Sequence, residues 1–279
     1  MLDTIFILPE GLLKPQDLKV NISFIHEDQL FPGQFIIGHS KVQILAGNVS
    51  VSGYREGLGY EALFNTLAAI VQTDSSFIVT DSKNHCLREL KLDGGQTFRA
   101  TTYAGECEMS KIPYRGHVRF LYPKGMVKKG DFLFIADSSN QRITRLDITD
   151  KTTVETVHQS SSLRLTQLLA GHVTNEFYVT VNHGVIRVLN QKEVWVVGCA
   201  RRMFQNQTQQ FTGAGFGSPQ GMAWLTNTII LVADYEANLI KVVDLELKEV
   251  RVICPGKLPA WLSPLAVFCN KIKLKEISQ

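Results

Sequence analysis

Three aspartates recur in one setting along this chain. Asp81 with Asn84, Asp137 with Asn140, and Asp234 with Asn238 each follow a short apolar run. Carboxylate and amide oxygens are hard ligands, and several such groups converging on one point would hold a divalent cation such as calcium. The same residue types also build turns. Their side chains bond nearby backbone N–H groups, and asparagine tolerates positive φ. Each pair here stands between two apolar runs: "FIVT" and "CLRELKL", "LFIA" and "RITRLDI", "ILVA" and "LIKVVDL". That placement makes the pairs structural corners, and no metal is assigned to them.

Other chemistry-bearing residues are scattered. A zinc site needs three or four converging ligands. Of seven histidines, His85, His172 and His183 fall in turn-like segments, and His117 in "YRGHVRF" is the one kept as a candidate. No G-x-S-x-G elbow and no CxxC occurs. Gly213, Gly215 and Gly217 lie in "TGAGFGSPQG", but no lysine follows as a phosphate loop requires. No catalytic residue and no cofactor is therefore assigned. Basic and aromatic residues do cluster in "ECEMSKIPYRGHVRFLYPKGMVKKGD", a connection longer than its counterparts. Long loops on rigid scaffolds carry binding. Tyr114, Arg115, His117, Arg119, Tyr122, Lys124, Lys128 and Lys129 form the candidate binding face. A protein partner ranks first for it, then a glycan, with RNA below both.

These residues need a frame. Apolar–polar alternation at period two is the signal of a half-buried strand. Each Asp–Asn corner lies between two such runs, so each unit is a β-hairpin. A fourth, degenerate copy is "EFYVTVNHGVIRVLN", with a tighter turn at Asn182–Gly184. The copies recur roughly every 45–55 residues, a period of solenoids and propellers. Strands ending in "VQILAG" and "VWVVGC", then Gly-rich turns carrying Phe64 and Phe216, precede the first and last hairpins. Four antiparallel strands at this period make a propeller blade. Four blades are legible, at about 47–105, 106–158, 159–199 and 200–256.

Composition agrees with a globular, all-β protein. The chain has 279 residues, 44% hydrophobic and 20% charged, with a net charge of +3. That bias is too weak to name a nucleic-acid partner. No apolar run reaches the roughly 18 residues a membrane helix needs, so no membrane insertion of this segment is expected. Cys254 and Cys269 flank a Pro-rich loop, and either a disulfide or buried thiols fits them. Asn21, Asn48 and Asn206 open N-x-S/T sequons, which lean towards a secretory setting.

The run Asp81, Asn84, His85, Cys86, Leu87, Arg88, with its weaker copies at Asn140 and Asn238, resembles the NHL repeat. The motif's leucine arrives one place late here. The likeness covers roughly residues 41–256 and is closer in wording to secreted NHL repeats than to the cytoplasmic RING-linked type. It implies one β-propeller domain over residues 1–279, six-bladed by family pattern or five-bladed, closed by strands from both termini. It also implies three functions: a non-enzymatic scaffold, extracellular or at the cell surface, binding protein or glycan; a cytoplasmic RNA-binding domain; or a metal-dependent lyase or lactonase. The first is the expectation carried forward.

Overall fold

The computed structural model describes residues 45–252 apart from 49, 95–96, 108–118, 162, 199–208, 212–213 and 238. The chain separates into two compact units, Met1–Ala170 and Gly171–Gln279.

The first unit holds two blades. The first blade comprises β1 (Gly57–Leu58), β2 (Leu67–Gln72), β3 (Ser76–Asp81), β4 (Cys86–Leu92) and β5 (Phe98–Ala104), in the order β1-β5-β4-β3-β2. The second comprises β6 (Pro123–Lys129), β7 (Phe132–Asp137), β8 (Arg142–Asp147) and β9 (Val154–Gln159), in sequence order. The short β10 (Leu168–Ala170) ends the unit. The second unit contains β11 (Glu176–Val181), β12 (Gly184–Leu189) and β13 (Lys192–Gly198), which neighbour one another in sequence order in their sheet. It also contains β14 (Gln209–Gln210), β15 (Pro219–Trp224), β16 (Ile229–Asp234), β17 (Leu239–Asp244) and β18 (Glu249–Val252), in the order β14-β18-β17-β16-β15. All strand pairs with a described register are antiparallel.

The sequence explains why the middle strands read as unbroken apolar runs. All six residues of β3 are buried. Successive side chains of a strand point to opposite faces. Phe77 and Val79 join Phe64, Leu90 and Phe98 on one side. Ile78 faces the other way and joins Leu87, Phe120, Met126, Leu133 and Ile135. The second cluster mixes residues of blades one and two, so β3 is covered on both faces. Burying a side chain such as Ile78 stabilises by about 1.5–3 kcal/mol.

The hairpin corners are short 3-10 turns. Ser82–Asn84 is followed by His85 at φ 62°, and Ser138–Asn140 by Gln141 at φ 54°. Both closing residues sit in the left-handed region, and each N–H returns to a serine carbonyl, Ser82 or Ser138. The tighter "NHG" turn joins β11 to β12 directly, with Val181 opposite Gly184.

One glycine is required by close approach. A Cβ on Gly125 in β6 would lie 2.5 Å from both Gln167 Cα and Leu168 N. The Gly125 N–H donates to Thr166 O across this gap at 2.7 Å.

Four blades are present among the described residues, where six, or five, were expected. Their limits follow the four repeats legible in the sequence. The expected closing blade would use residues 1–44 and 253–279, which lie outside the described residues.

Candidate functional site

Each Asp corner is built inward from its carboxylate. In blade one, Asp81 Oδ1 accepts the Asn65 N–H at 2.8 Å, and Oδ2 accepts from Asn84 Nδ2 at 2.8 Å and Arg88 Nη1 at 3.1 Å. Asn84 Nδ2 also reaches Gly53 O. In blade two, Asp137 Oδ1 accepts the Leu121 N–H at 2.6 Å, while Asn140 and Arg142 both donate to Oδ2 at 2.8 Å. In the last blade, Asp234 accepts the N–H groups of Gly217 and Ser218 and the Lys241 ammonium at 2.8 Å. Asn238 lies outside the described residues. The carboxylate thus fixes the chain that enters its own blade, and a cation on the next strand closes the arrangement.

That cation was the part sequence reading missed, although spacing carried the signal. Arg88 and Lys241 each stand seven residues after their aspartate. Arg142 stands five after, and a shift of two keeps a strand residue on the same face. Arg88 is fully buried, with Tyr54 and Phe64 rings within 5.0 Å of its guanidinium carbon. Its other donors reach the carbonyls of Leu63, Arg55 and Thr101. Blade three dispenses with the pair. Val181 takes the aspartate register, and Ile186, opposite Val179 as Arg88 is opposite Val79, takes the cation's; both are buried. Burial pushes Asp81 up to about 6, against the pull of Asn84, the Asn65 N–H and Arg88.

The candidate binding face divides into several places. Tyr114, Arg115 and His117 lie outside the described residues. Arg119 Nε donates to Glu106 Oε2 at 3.0 Å, and its carbonyl accepts from Arg142. Tyr122, at φ 52° and 41% exposed, donates its N–H to His85 Nδ1 at 3.1 Å, with the two rings edge to face at 4.5 Å. Burial lowers the His85 pKa, with Asp137 opposing. Lys124 begins β6 near this contact. Lys128 and Lys129 lie opposite Leu133 and Phe132 beside the β6–β7 turn, at the far end of the strand. Four residues of strand separate Lys124 from Lys128 by about 13 Å, so one basic patch in the sequence becomes two in space.

His183 makes a contact of the opposite sense in the second unit: its Nδ1 lies 2.7 Å from the Gly217 carbonyl oxygen, to which it donates. His172 stacks near Trp224 at 4.5 Å, with Nε2 3.0 Å from Asn227 O. Among the described residues, no group of three or more His, Cys, Asp or Glu side chains converges as metal ligands do. Nor is any helix among them long and apolar enough to cross a membrane.

A disulfide joins Cys86, at the start of β4, to Cys107 just after β5. It was not expected. Cys254 and Cys269, the expected pair, lie outside the described residues, as do the sequons at Asn21 and Asn206. Asn48 is described. It sits half-buried in an exposed turn, where its Oδ1 accepts the Ser50 N–H at 2.9 Å.

No family model and no curated protein matches the chain. Solved structures do. An auxiliary nutrient binding protein from Bacteroides ovatus matches at 13% identity over 68% of this chain and 47% of that one, with a TM-score of 0.52. One of the same description from Bacteroides thetaiotaomicron matches at 14% identity over 68% and 47%, with a TM-score of 0.51. A catalytically inactive virginiamycin B lyase from Staphylococcus aureus matches at 13% identity over 70% and 57%, with a TM-score of 0.42. The chain thus spans about half the length of the two nutrient-binding chains. The likeness is one of fold: an all-β propeller type with four-stranded blades.

Proposed function

We propose that this chain is a non-enzymatic binding scaffold of the NHL-repeat propeller type, meeting a protein partner through the loops at its Asp-corner ends. One observation carries the reading. The recurrent polar side chains, Asp81, Asn84, Asp137, Asn140 and Asp234, all bond the protein's own backbone and neighbouring side chains. What those ends turn outward in the first unit is different: the exposed Tyr122 ring and the exposed Lys83. An exposed tyrosine is a common anchor of protein-binding surfaces. The nutrient-binding descriptions of two fold neighbours are compatible with a binding role.

The setting is extracellular or at the cell surface. The Cys86–Cys107 disulfide supports an oxidising compartment, and the Asn48 sequon in an exposed turn supports passage through the secretory route.

The test uses the full chain, fluorescently labelled, on intact cells. Binding should be saturable, lost when the cells are treated with protease and unchanged by nuclease. Tyr122→Asn, which tolerates the positive φ, should weaken it about tenfold or more, as loss of an aromatic anchor does. Binding removed by glycosidase and not by protease would replace the protein partner with a glycan. A gel shift of single-stranded RNA that fades as salt rises would overturn the scaffold reading in favour of RNA.

A further inference from the structure

Two outer strands of this fold carry a short extra strand, and a third does not. In the first blade β1 runs antiparallel to β5, with Gly57 opposite Ala100 and Leu58 opposite Arg99. In the last, β14 runs antiparallel to β18, with Gln209 opposite Val250 and Gln210 opposite Glu249. The two registers coincide. Ala100 and Val250 lie opposite Leu90 and Val243, each four residues into a strand that opens at Cys86 or Leu239. On β13 the same positions are Lys192 and Glu193, opposite Leu189 and Val188. Yet β13 ends its sheet, and no strand among the described residues pairs with its outer edge. Leu58 and Gln210 precede the starts of β3 and β16, Ser76 and Ile229, by 18 and 19 residues. The same distance before Glu176, the start of β11, falls on Val157 and His158. Those two belong to β9, where His158 lies opposite Ile143 of β8. The stretch that caps the other two edges is thus built into another sheet.

The side chains of β13 do not guard a bare edge. Outer strands avoid stray pairing by carrying polar and charged residues. β9 does so, exposing Glu155, Thr156 and Gln159. β13 instead exposes Val194 (61%) and Trp195 (39%). The capped blades show which backbone groups turn outward. The Phe211 N–H donates to Lys248 O beyond the β14–β18 pairing, and the Thr102 N–H of β5 donates to Glu56 Oε1. Outward-facing residues alternate along a strand, so Val250 and Ala100 face outward too. Their equivalents place the outward groups of β13 at Glu193 and Trp195. Trp195 lies opposite Ile186 as Thr102 lies opposite Arg88.

We propose that β13 pairs with β13 of a second copy of this chain, antiparallel about a two-fold axis at Val194. A two-fold contact joins the same patch on both copies, and this edge is complementary to itself. Antiparallel pairing sets outward residues against outward residues. An axis at Glu193 would oppose two carboxylates. An axis at Trp195 would run the pairing past Val196, which has no opposite residue on β12. With the axis at Val194, the two Val194 side chains meet, and Glu193 of each copy lies opposite Trp195 of the other. No like charges meet, and both exposed apolar side chains are covered. So short an edge makes a small contact, and the dimer is weak, with a Kd on the order of 10–100 μM. This contact goes beyond the scaffold reading and needs no other protein.

Sedimentation velocity of the full chain, from about 1 to about 500 μM, tests it. The chain should pass from monomer to dimer and no further, because a two-fold contact closes. Val194→Lys sets two ammonium groups against each other at the axis, and Val194→Glu two carboxylates. Each should raise Kd about tenfold or more. An equimolar mixture of the two variants should dimerise again, since the axis then opposes lysine to glutamate. Leu247→Lys removes another exposed apolar side chain of the same unit, outside β13, and should leave the dimer unchanged. Far-UV circular dichroism shows whether each variant folds, and the wild-type series decides the matter without any variant. A wild-type chain that stays monomeric at every concentration overturns the proposal. So does a dimer untouched by both Val194 charges, or a mixture that remains monomeric. A monomeric chain whose binding to cells falls with Val194→Lys would give the edge to a strand of the protein partner instead.

Discussion

Replacing Arg88 with methionine tests the corner architecture at its most buried point. Arg88 and Asp81 are both fully inaccessible, 3.1 Å apart. Arg88→Met keeps an unbranched apolar stem out to about the position of Nε and removes the charge. Asp81 then retains the Asn65 N–H and Asn84 but has no counter-charge, and the carbonyls of Leu63, Arg55 and Thr101 lose a donor. Breaking a buried pair from one side costs about 3–5 kcal/mol. Blade three shows a different solution in the same register, Val181 with Ile186. The double change Asp81→Val with Arg88→Ile should therefore cost less than the two single changes summed, by about 2 kcal/mol. Urea denaturation followed by far-UV circular dichroism at pH 7 measures this cycle. Additivity within about 0.5 kcal/mol would refute the reasoning, because the two side chains would then not be coupled.

The same site gives a pH dependence. Asp81 is raised by burial to about 6 from 3.8. A carboxyl raised on folding contributes stability that is full below its unfolded pKa and lost as pH rises through the folded one. The window is thus from about pH 4 to about pH 6. A displacement of about two units corresponds to about 3 kcal/mol. Asp81→Asn should remove this component from the stability–pH curve, and an unchanged curve would count against it.

Other outcomes follow from the same structure. Reducing the Cys86–Cys107 bridge, whose partners lie 21 residues apart, should lower stability by about 3 kcal/mol, read as a fall in the urea midpoint. Gly125→Ala should cost about 1–3 kcal/mol, since its Cβ meets backbone atoms at 2.5 Å, and the same denaturation assay reports it. His85 should titrate below 6.5 by NMR. Its lowered pKa means that it binds fewer protons folded than unfolded, so its contribution to stability rises with pH up to about 6.5. The Tyr122 amide resonance should move with that titration, because protonating Nδ1 removes its acceptor.

Much of the fold was legible because it is local. The alternating runs around Asp81, Asp137 and Asp234 became β3–β4, β7–β8 and β16–β17, and the degenerate copy became β11–β12. The corner residues were legible for the same reason: Asp81 and Asn84 bond across three positions of chain. Contacts made by loops were not. Cys86 meets Cys107 only because the chain after β5 returns to the corner of its own blade. Thr166 meets Gly125 only because that glycine admits a segment some forty residues later in the chain. The basic cluster shows the converse. Residues close in sequence, Lys124 and Lys128, lie at opposite ends of one strand. Blade number was hardest, since a repeat pattern counts only the blades that keep it.

On this structure the Asp corners hold the protein's own backbone in place of a cation. Amide hydrogen exchange at Asn65, Leu121 and Ser218, with and without added calcium, tests it most directly. Exchange should be as slow as in the neighbouring strands and the same in both conditions, because buried carboxylates already hold these N–H groups. Rapid exchange that slows only when calcium is added would show the carboxylates to be metal ligands and contradict it.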